Sequence, residues 1–421
     1  MLFVLRNSWA LLLGMMLLLL GNGMQGTLLG VRGAIEGYDA ASMSLVMSAY
    51  FIGFLAGSYR APRMIRRVGH VRVFAALASL ISAAFILYAA LPDPFVWAAI
   101  RLVVGFCFAG VYVVAESWLN EAATNETRGK ALALYMIVQM VGIIAAQAVV
   151  TFADAGGYAL FVVMSVLVSV SFLPILLTAS AAPAYRATKR MTLRQLFGIS
   201  PLGCVGTFLL GGVFAAIFSM SSVFGTERGL SVNQIALFVA AIYAGGLVFL
   251  FPIGWLSDRM DRRVLITALT TVGAVVAFGG IAFVDSYVVV IAVGFVLGAV
   301  ANPLYSLLIA YTNDFLEPAD MAAASGGLLF INGLGAISGP LVIGWLMTAI
   351  GADAFFGFVG VLLALIALYA AWRMTRRAAP AVADTAPHAA VLPQASPVAL
   401  EAAQGVAQAR AGMGDGTPQP L

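Results

Sequence analysis

Apolar runs of about the same length recur along the chain, separated by short polar stretches: 8–30, 42–60, 72–91, 95–118, 130–152, 158–179, 200–223, 232–255, 264–284, 287–311, 321–349 and 352–373. An apolar helix of about 20 residues crosses a bilayer. Backbone polar groups left unpaired in lipid cost several kcal/mol each. The pattern therefore predicts an all-α membrane protein with twelve transmembrane helices. The eleventh run is long, which predicts a tilted helix or an interfacial first turn. The first run follows Arg6 and looks like a signal peptide. It has no small-residue cleavage site, so it is expected to stay as a span.

Composition agrees. Of 421 residues 62% are hydrophobic and 10% charged, against about 25% charged in soluble domains. The net charge of +4 matters less than its placement. With the N-terminus inside, 19 of the 22 basic residues fall on the inner side, Arg32 and Arg228 fall outside, and Arg101 lies within a span. This asymmetry predicts that both termini are cytoplasmic. The outer connections are short turns, such as Leu91-Pro92-Asp93-Pro94, Ala155-Gly156-Gly157 and Asp285-Ser286. The segment 180–199 carries Pro183 and four basic residues and divides the spans six and six. Residues 1–179 and 200–377 are then two six-helix bundles joined by a cytoplasmic linker, with an amphipathic turn expected near Leu193–Phe197. Beyond 378 the chain is rich in Ala, Pro and Gln, so 378–421 is expected to be a disordered cytoplasmic tail.

The halves repeat each other weakly. Gly57 and Gly254 each stand before an inner charged stretch. Gly142 and Gln139 match Gly335 and Asn332 at an offset of 193. The stretch Gly254-Trp255-Leu256-Ser257-Asp258-Arg259-Met260-Asp261-Arg262-Arg263 joins two spans at the water interface. Its spacing resembles the G-x-x-x-D-R-x-G-R-R loop of the major facilitator superfamily of transporters. Gly254, Asp258, Arg259, Arg262 and Arg263 fit, and Asp261 replaces a Gly. The first copy, Gly57 to Arg72, has Ala61 in place of the acid but keeps Gly69 and Arg72. Arg101-Leu102-Val103-Val104-Gly105 resembles that family's fourth-helix motif, with Val104 in place of a polar residue. The run from Ala115 to Tyr135, with Glu116, Glu126 and Arg128, is similar to the poorly characterised YcaD-type branch. The resemblance implies two pseudo-symmetric six-helix bundles, gating loops at these charged stretches, and coupling to protons.

A charge within a span costs at least about 2.5–3.5 kcal/mol on insertion scales. Arg101 therefore either faces a cavity or snorkels to the outer headgroups. Asn22, Gln25, Tyr112, Gln139, Gln147, Asn302 and Asn332 are further polar or aromatic residues at membrane depth. They line a pathway, or they make interhelical hydrogen bonds worth about 0.6 kcal/mol each. Pro303 is expected to break helix 10 beside Asn302. Glu116 is expected to pair with an Arg as a latch. His70 is read as a loop residue. Cys107 and Cys204 fall in apolar runs and are expected to pair with nothing.

The expected function is secondary active transport of a small, neutral or anionic organic solute across the cytoplasmic membrane, which the family resemblance implies is a bacterial inner membrane, with protons as co-substrate. The expected form is a monomer in lipid, without nucleic acid, metal or cofactor. No Walker loop, metal spacing or nucleophile elbow points to an enzyme. The alternative is a non-transporting membrane sensor or scaffold on the same fold.

Overall fold

The computed structural model describes residues 2–124, 127–176, 191–376, 385 and 388–414. Among them twelve helices are long and apolar enough to cross a membrane, and each overlaps one of the expected runs. They are α1 (Leu2–Ile35), α2 (Ala40–Val68), α3 (His70–Ala90), α4 (Pro94–Ala122), α5 (Arg128–Val150), α6 (Ala159–Leu176), α7 (Pro201–Glu227), α8 (Val232–Ser257), α9 (Arg262–Ala282), α10 (Tyr287–Asn313), α11 (Pro318–Ile350) and α12 (Ala354–Met374). A linker helix, Leu193–Ile199, precedes α7. A tail helix, Pro397–Gly414, follows α12. Of the linker, 180–190 lies outside the described residues, as do Glu126 and the side chain of Arg6.

Local chemistry sets the helix ends. Asp39 and Asp93 accept the first free amides of α2 and α4. Ser231 with Gln234, and Thr192 with Gln195, form capping boxes at α8 and the linker helix. Helix α2 runs further than expected. Arg60, Arg63, Arg66 and Arg67 sit on its last turns, not in a loop, and Gly69 at φ 87 makes the turn into α3. Pro303 does not break α10, which is continuous from Tyr287 to Asn313. α6 is interrupted at Phe172, and α7 widens into a π-turn at Ala216–Met220. Such π-turns often mark functional sites.

The two halves use the same crossings. Gly53 of α2 and Gly105 of α4 lie so close to the opposite backbone that a Cβ on either would overlap it. Gly245 of α8 and Gly298 of α10 do the same, 192 and 193 positions later. Gly142 packs on Met16 of α1, and Gly335 on Phe208 of α7, at offsets of 193 and 192. Glycine at these points lets helices approach to backbone contact. Gly57 belongs to this set. It sits within α2 against Phe106 and does not begin a loop.

Between the halves, contact is close at the end bearing Arg32 and Arg228. Ser222 of α7 donates to the Gly26 carbonyl at 3.0 Å, and Ser48 of α2 to the Ile337 carbonyl at 2.9 Å. Gly30 packs on Ser222, and Gly344 on Ser44. At the opposite end, where the charged turns gather, the space between the halves holds residues 388–404. The expectation of disorder across 378–421 therefore fails for the described tail. Val391, Leu392, Ala399 and Leu400 are buried. The cavity walls, not the tail's own apolar content, supply the surface that orders it.

Candidate functional site

A cavity of about 80 Å³ lies between the halves, room for several waters. Its walls come from α1, α2, α4, α5, α7 and α8, with Gln394 of the tail. Asn22, Thr27, Arg101, Ser219, Ser221 and Ser222 line it with Tyr50, Phe51, Tyr112, Phe214, Phe218 and Tyr243. The π-turn of α7 supplies Phe218 and Ser219. Phe218 packs between Phe214, at 4.2 Å between ring centroids, and Tyr243, at 4.7 Å.

Arg101 is the charged member of this wall. It is 5% exposed, so it does not snorkel to the headgroups. Its Nη1 donates to Gln25 Oε1 at 2.9 Å, and its guanidinium lies 4.8 Å from the Tyr50 ring centre. Met47 Sδ is 3.1 Å from Nη2. Nε has no partner. Among the described residues no carboxylate pairs with Arg101. Gln25 is itself fixed, since its Nε2 donates to the Tyr88 hydroxyl at 2.9 Å. The guanidinium is thus held in place by neutral groups and keeps its charge available to an anion.

The remaining sequence candidates divide. Asn22 and Tyr112 line the cavity, and Gln25 positions Arg101 from behind. Asn332 lines a second cavity of about 40 Å³ between α2 and α11, with an unpartnered Oδ1. Gln147 instead ties α5 to α1. It accepts from Thr27 at 2.7 Å and donates to the Gly23 carbonyl at 3.0 Å. Asn302 packs on Gly246 of α8 and donates within its own helix to the Gly298 carbonyl. Gln139 is buried on α5 and lines neither cavity. Sequence reasoning missed Tyr50, Tyr243, Phe218 and Ser222, since aromatic and small residues in an apolar run carry no mark of a cavity.

At the basic end, Arg262 is buried among Asp314, the Ala310 carbonyl, Ser257 and Asp258. Asp314 was not expected. Its one signal was an acid directly after the tenth span. Asp261, standing where the resembled loop has Gly, accepts the Arg263 amide at 2.9 Å as the cap of α9 and pairs with the Arg263 guanidinium at 2.7 Å. Arg259 stacks on Trp255 at 4.0 Å. Arg72 is exposed, and Arg128 begins α5. Among the described residues Glu116 does not pair with an Arg. It is 1% exposed and accepts the amide of Ser396, in the tail, at 2.7 Å. Asp258 accepts the His388 amide at 2.7 Å. The His388 ring lies where Gly254 leaves room, as a Cβ there would come within 2.7 Å of it. His70 is buried at the start of α3 with both ring nitrogens unpartnered. Cys107 and Cys204 are buried free thiols.

The profile of the Major Facilitator Superfamily matches residues 11–242 and 202–406. The uncharacterized MFS-type transporter YcaD of Escherichia fergusonii is 28% identical over 345 residues, which are 81% of this chain and 89% of that protein. An uncharacterized MFS-type transporter of Enterobacter sp. is 28% identical over 346 residues, covering 81% and 89%. Among solved structures, a variant of the nucleoside transporter NupG superposes with a TM-score of 0.77 at 15% identity, over 87% of this chain and 99% of that one. A bacterial homologue of the lysosomal transporter Spinster, inward-facing and occupied, gives 0.70 at 17% identity, over 89% and 97%.

Proposed function

Because the chain belongs to the major facilitator superfamily, a family of membrane transporters and not of enzymes, we propose that it is a secondary transporter whose solute is a small organic anion. The observation that carries this reading is Arg101, a buried guanidinium on the wall of the central cavity with no carboxylate partner among the described residues. A persistent charge on a buried cavity wall attracts an anionic group more strongly than one in open water. The aromatic rings around it suit a planar or apolar remainder. The same reading takes the basic end as the cytoplasmic end, with both termini on the cytoplasmic side of a bacterial inner membrane, as the excess of basic residues at that end supports.

Transport proceeds by rocking of the two bundles about this cavity. The small-residue contacts at Gly30, Ser48 and Gly344 close one end in the present conformation. The charged turn from Gly254 to Arg263 and the stretch from Glu116 to Arg128 gate the other. Coupling to protons belongs to the same reading, with Glu116 as the buried carboxylate that has no Arg partner among the described residues. The protein acts as a monomer in lipid. The sensor alternative would need a presented partner surface, and the described tail is packed inside instead.

The test is uptake by proteoliposomes of the purified protein, offered a panel of small carboxylates, phosphates, neutral sugars and amines, with and without an imposed pH gradient. Uptake of anions that depends on the gradient is expected. Uptake of cations alone would overturn the assignment of the site.

A further inference from the structure

We propose that residues 388–404 are a tethered plug, which enters between the two halves from the basic end, blocks the path to the Arg101 cavity and props that end open. The segment runs inward from His388, at Asp258, to a tight turn, Leu392-Pro393-Gln394-Ala395. The Ala395 amide closes the turn on the Leu392 carbonyl at 2.9 Å. Pro393 at its second position presets the backbone for such a turn. The turn tip reaches the transport path, because Gln394 lines both cavities and Pro393 lines the second. The chain then returns as the tail helix, which starts with Pro397 at a position where its missing amide costs nothing.

The plug touches both walls. From the first half, Glu116 takes the Ser396 amide, and Met136 and Met140 of α5 pack in one cluster with Leu392. From the second half, Leu250 of α8 joins that cluster, Asp258 takes the His388 amide, and Ser325 of α11 accepts from Gln404 Nε2 at 2.8 Å. α5 and α8 touch along part of their length, and Leu392 packs where Met136 and Met140 of α5 face Leu250 of α8, so the segment fills the space into which those parts of the two helices would have to close. Its docking therefore obstructs solute access and also stops the closing half of the cycle. Ala399, Ala402 and Ala403 are the buried small residues of the tail helix, which lets it lie close in a narrow slot. Two carboxylates that accept backbone amides make the fit selective for a peptide and not for lipid.

The consequence for flux rests on the transporter reading, but docking is measured without any solute, so the two fail separately. In the full chain with Cys107→Ala and Cys204→Ala, the pair Ser325→Cys and Gln404→Cys should form a cross-link with a short bifunctional thiol reagent, which spans the extra length of the Gln404 side chain that reaches Ser325. It should do so as readily as a control pair, Ser82→Cys and Ser165→Cys, whose hydroxyls lie 2.8 Å apart. A second readout uses Met136→Cys as a reporter for a bulky maleimide. Deleting 388–421 should raise its labelling about tenfold, equivalent to about 1.4 kcal/mol of docking. Leu400→Asp, which keeps the chain length, should do the same. A synthetic peptide of residues 385–414 added to the truncated protein should restore protection at about millimolar concentration, the scale that a short tether supplies. A control pair that cross-links while the tail pair does not would overturn the plug. So would Met136→Cys labelling that ignores both the deletion and Leu400→Asp.

Discussion

Arg101 and Arg262 are both buried cations, and their partners give them opposite roles. Arg101 has neutral neighbours and an open cavity wall, while Arg262 is locked between Asp314 and Asp258. Arg101→Ala should abolish uptake, and Arg101→Lys should retain part of it, because a positive charge remains but the hydrogen bond to Gln25 loses its geometry. Normal uptake by Arg101→Ala in the proteoliposome assay would remove it from the site. Asp314→Ala should instead act on stability. A buried pair broken on one side costs about 3–5 kcal/mol, and the remaining Asp258 contact places the effect at the lower end of that range. Thermal melting in detergent measures it, and Arg262→Met combined with Asp314→Leu should recover most of the loss. Arg101 was legible in the sequence because a charge interrupts an apolar run. Gln147 and Asn302 gave the same kind of signal but proved to be helix-to-helix and intrahelical bonds. Whether an amide faces a cavity or a neighbour depends on helix rotation, which a run of apolar residues on all sides does not encode.

At the scale of elements, apolar length fixed the number and order of helices, because bilayer thickness leaves few alternatives. It did not fix where helices end in water. α2 continues past Pro62 and through its four arginines to Gly69. The repeat was visible through Gly142 and Gly335, and the structure gives its reason, since both glycines sit at equivalent crossings of the first and fifth helices of each half. The crossings of α2 with α4 and of α8 with α10 are tighter still. Gly105→Val and Gly298→Val should each prevent correct packing, because the new side chain would meet the backbone of Tyr50 or Ile242 and not a movable side-chain end. Both variants should lose the monodisperse peak in gel filtration. Gly279→Val should keep it, since that position has open space around it. Equal behaviour of all three variants would mean that the crossings tolerate widening.

At the scale of the whole molecule, the basic-residue asymmetry and the docked tail concern the same end. In a background of Cys107→Ala and Cys204→Ala, an impermeant thiol reagent should label Ser286→Cys from outside intact cells and Thr375→Cys only after the membrane is opened. The reverse pattern would invert the topology. The tail itself was not legible, because its alanines and prolines carry no amphipathic pattern and its order comes from walls contributed by α4, α5, α8 and α11. Its docking should depend on pH through His388. Both ring nitrogens are shut away from water without a partner, so burial pushes the imidazole down from 6.5 to about 4. The nearby Asp258 opposes this shift and Arg262 adds to it. Undocked, the ring regains its ordinary value. Between these limits the released tail binds more protons than the docked one, so docking weakens as pH falls from 6.5 toward 4, by up to about tenfold per unit. Above 6.5 the ring is neutral in both states and this dependence vanishes. A spin label at Leu392→Cys should therefore grow more mobile on acidification through that window. His388→Ala, which keeps the backbone amide that Asp258 accepts, should flatten the response while the label stays immobile at neutral pH. A response that survives unchanged in His388→Ala would assign the titration to another group and leave the plug without its pH sensor.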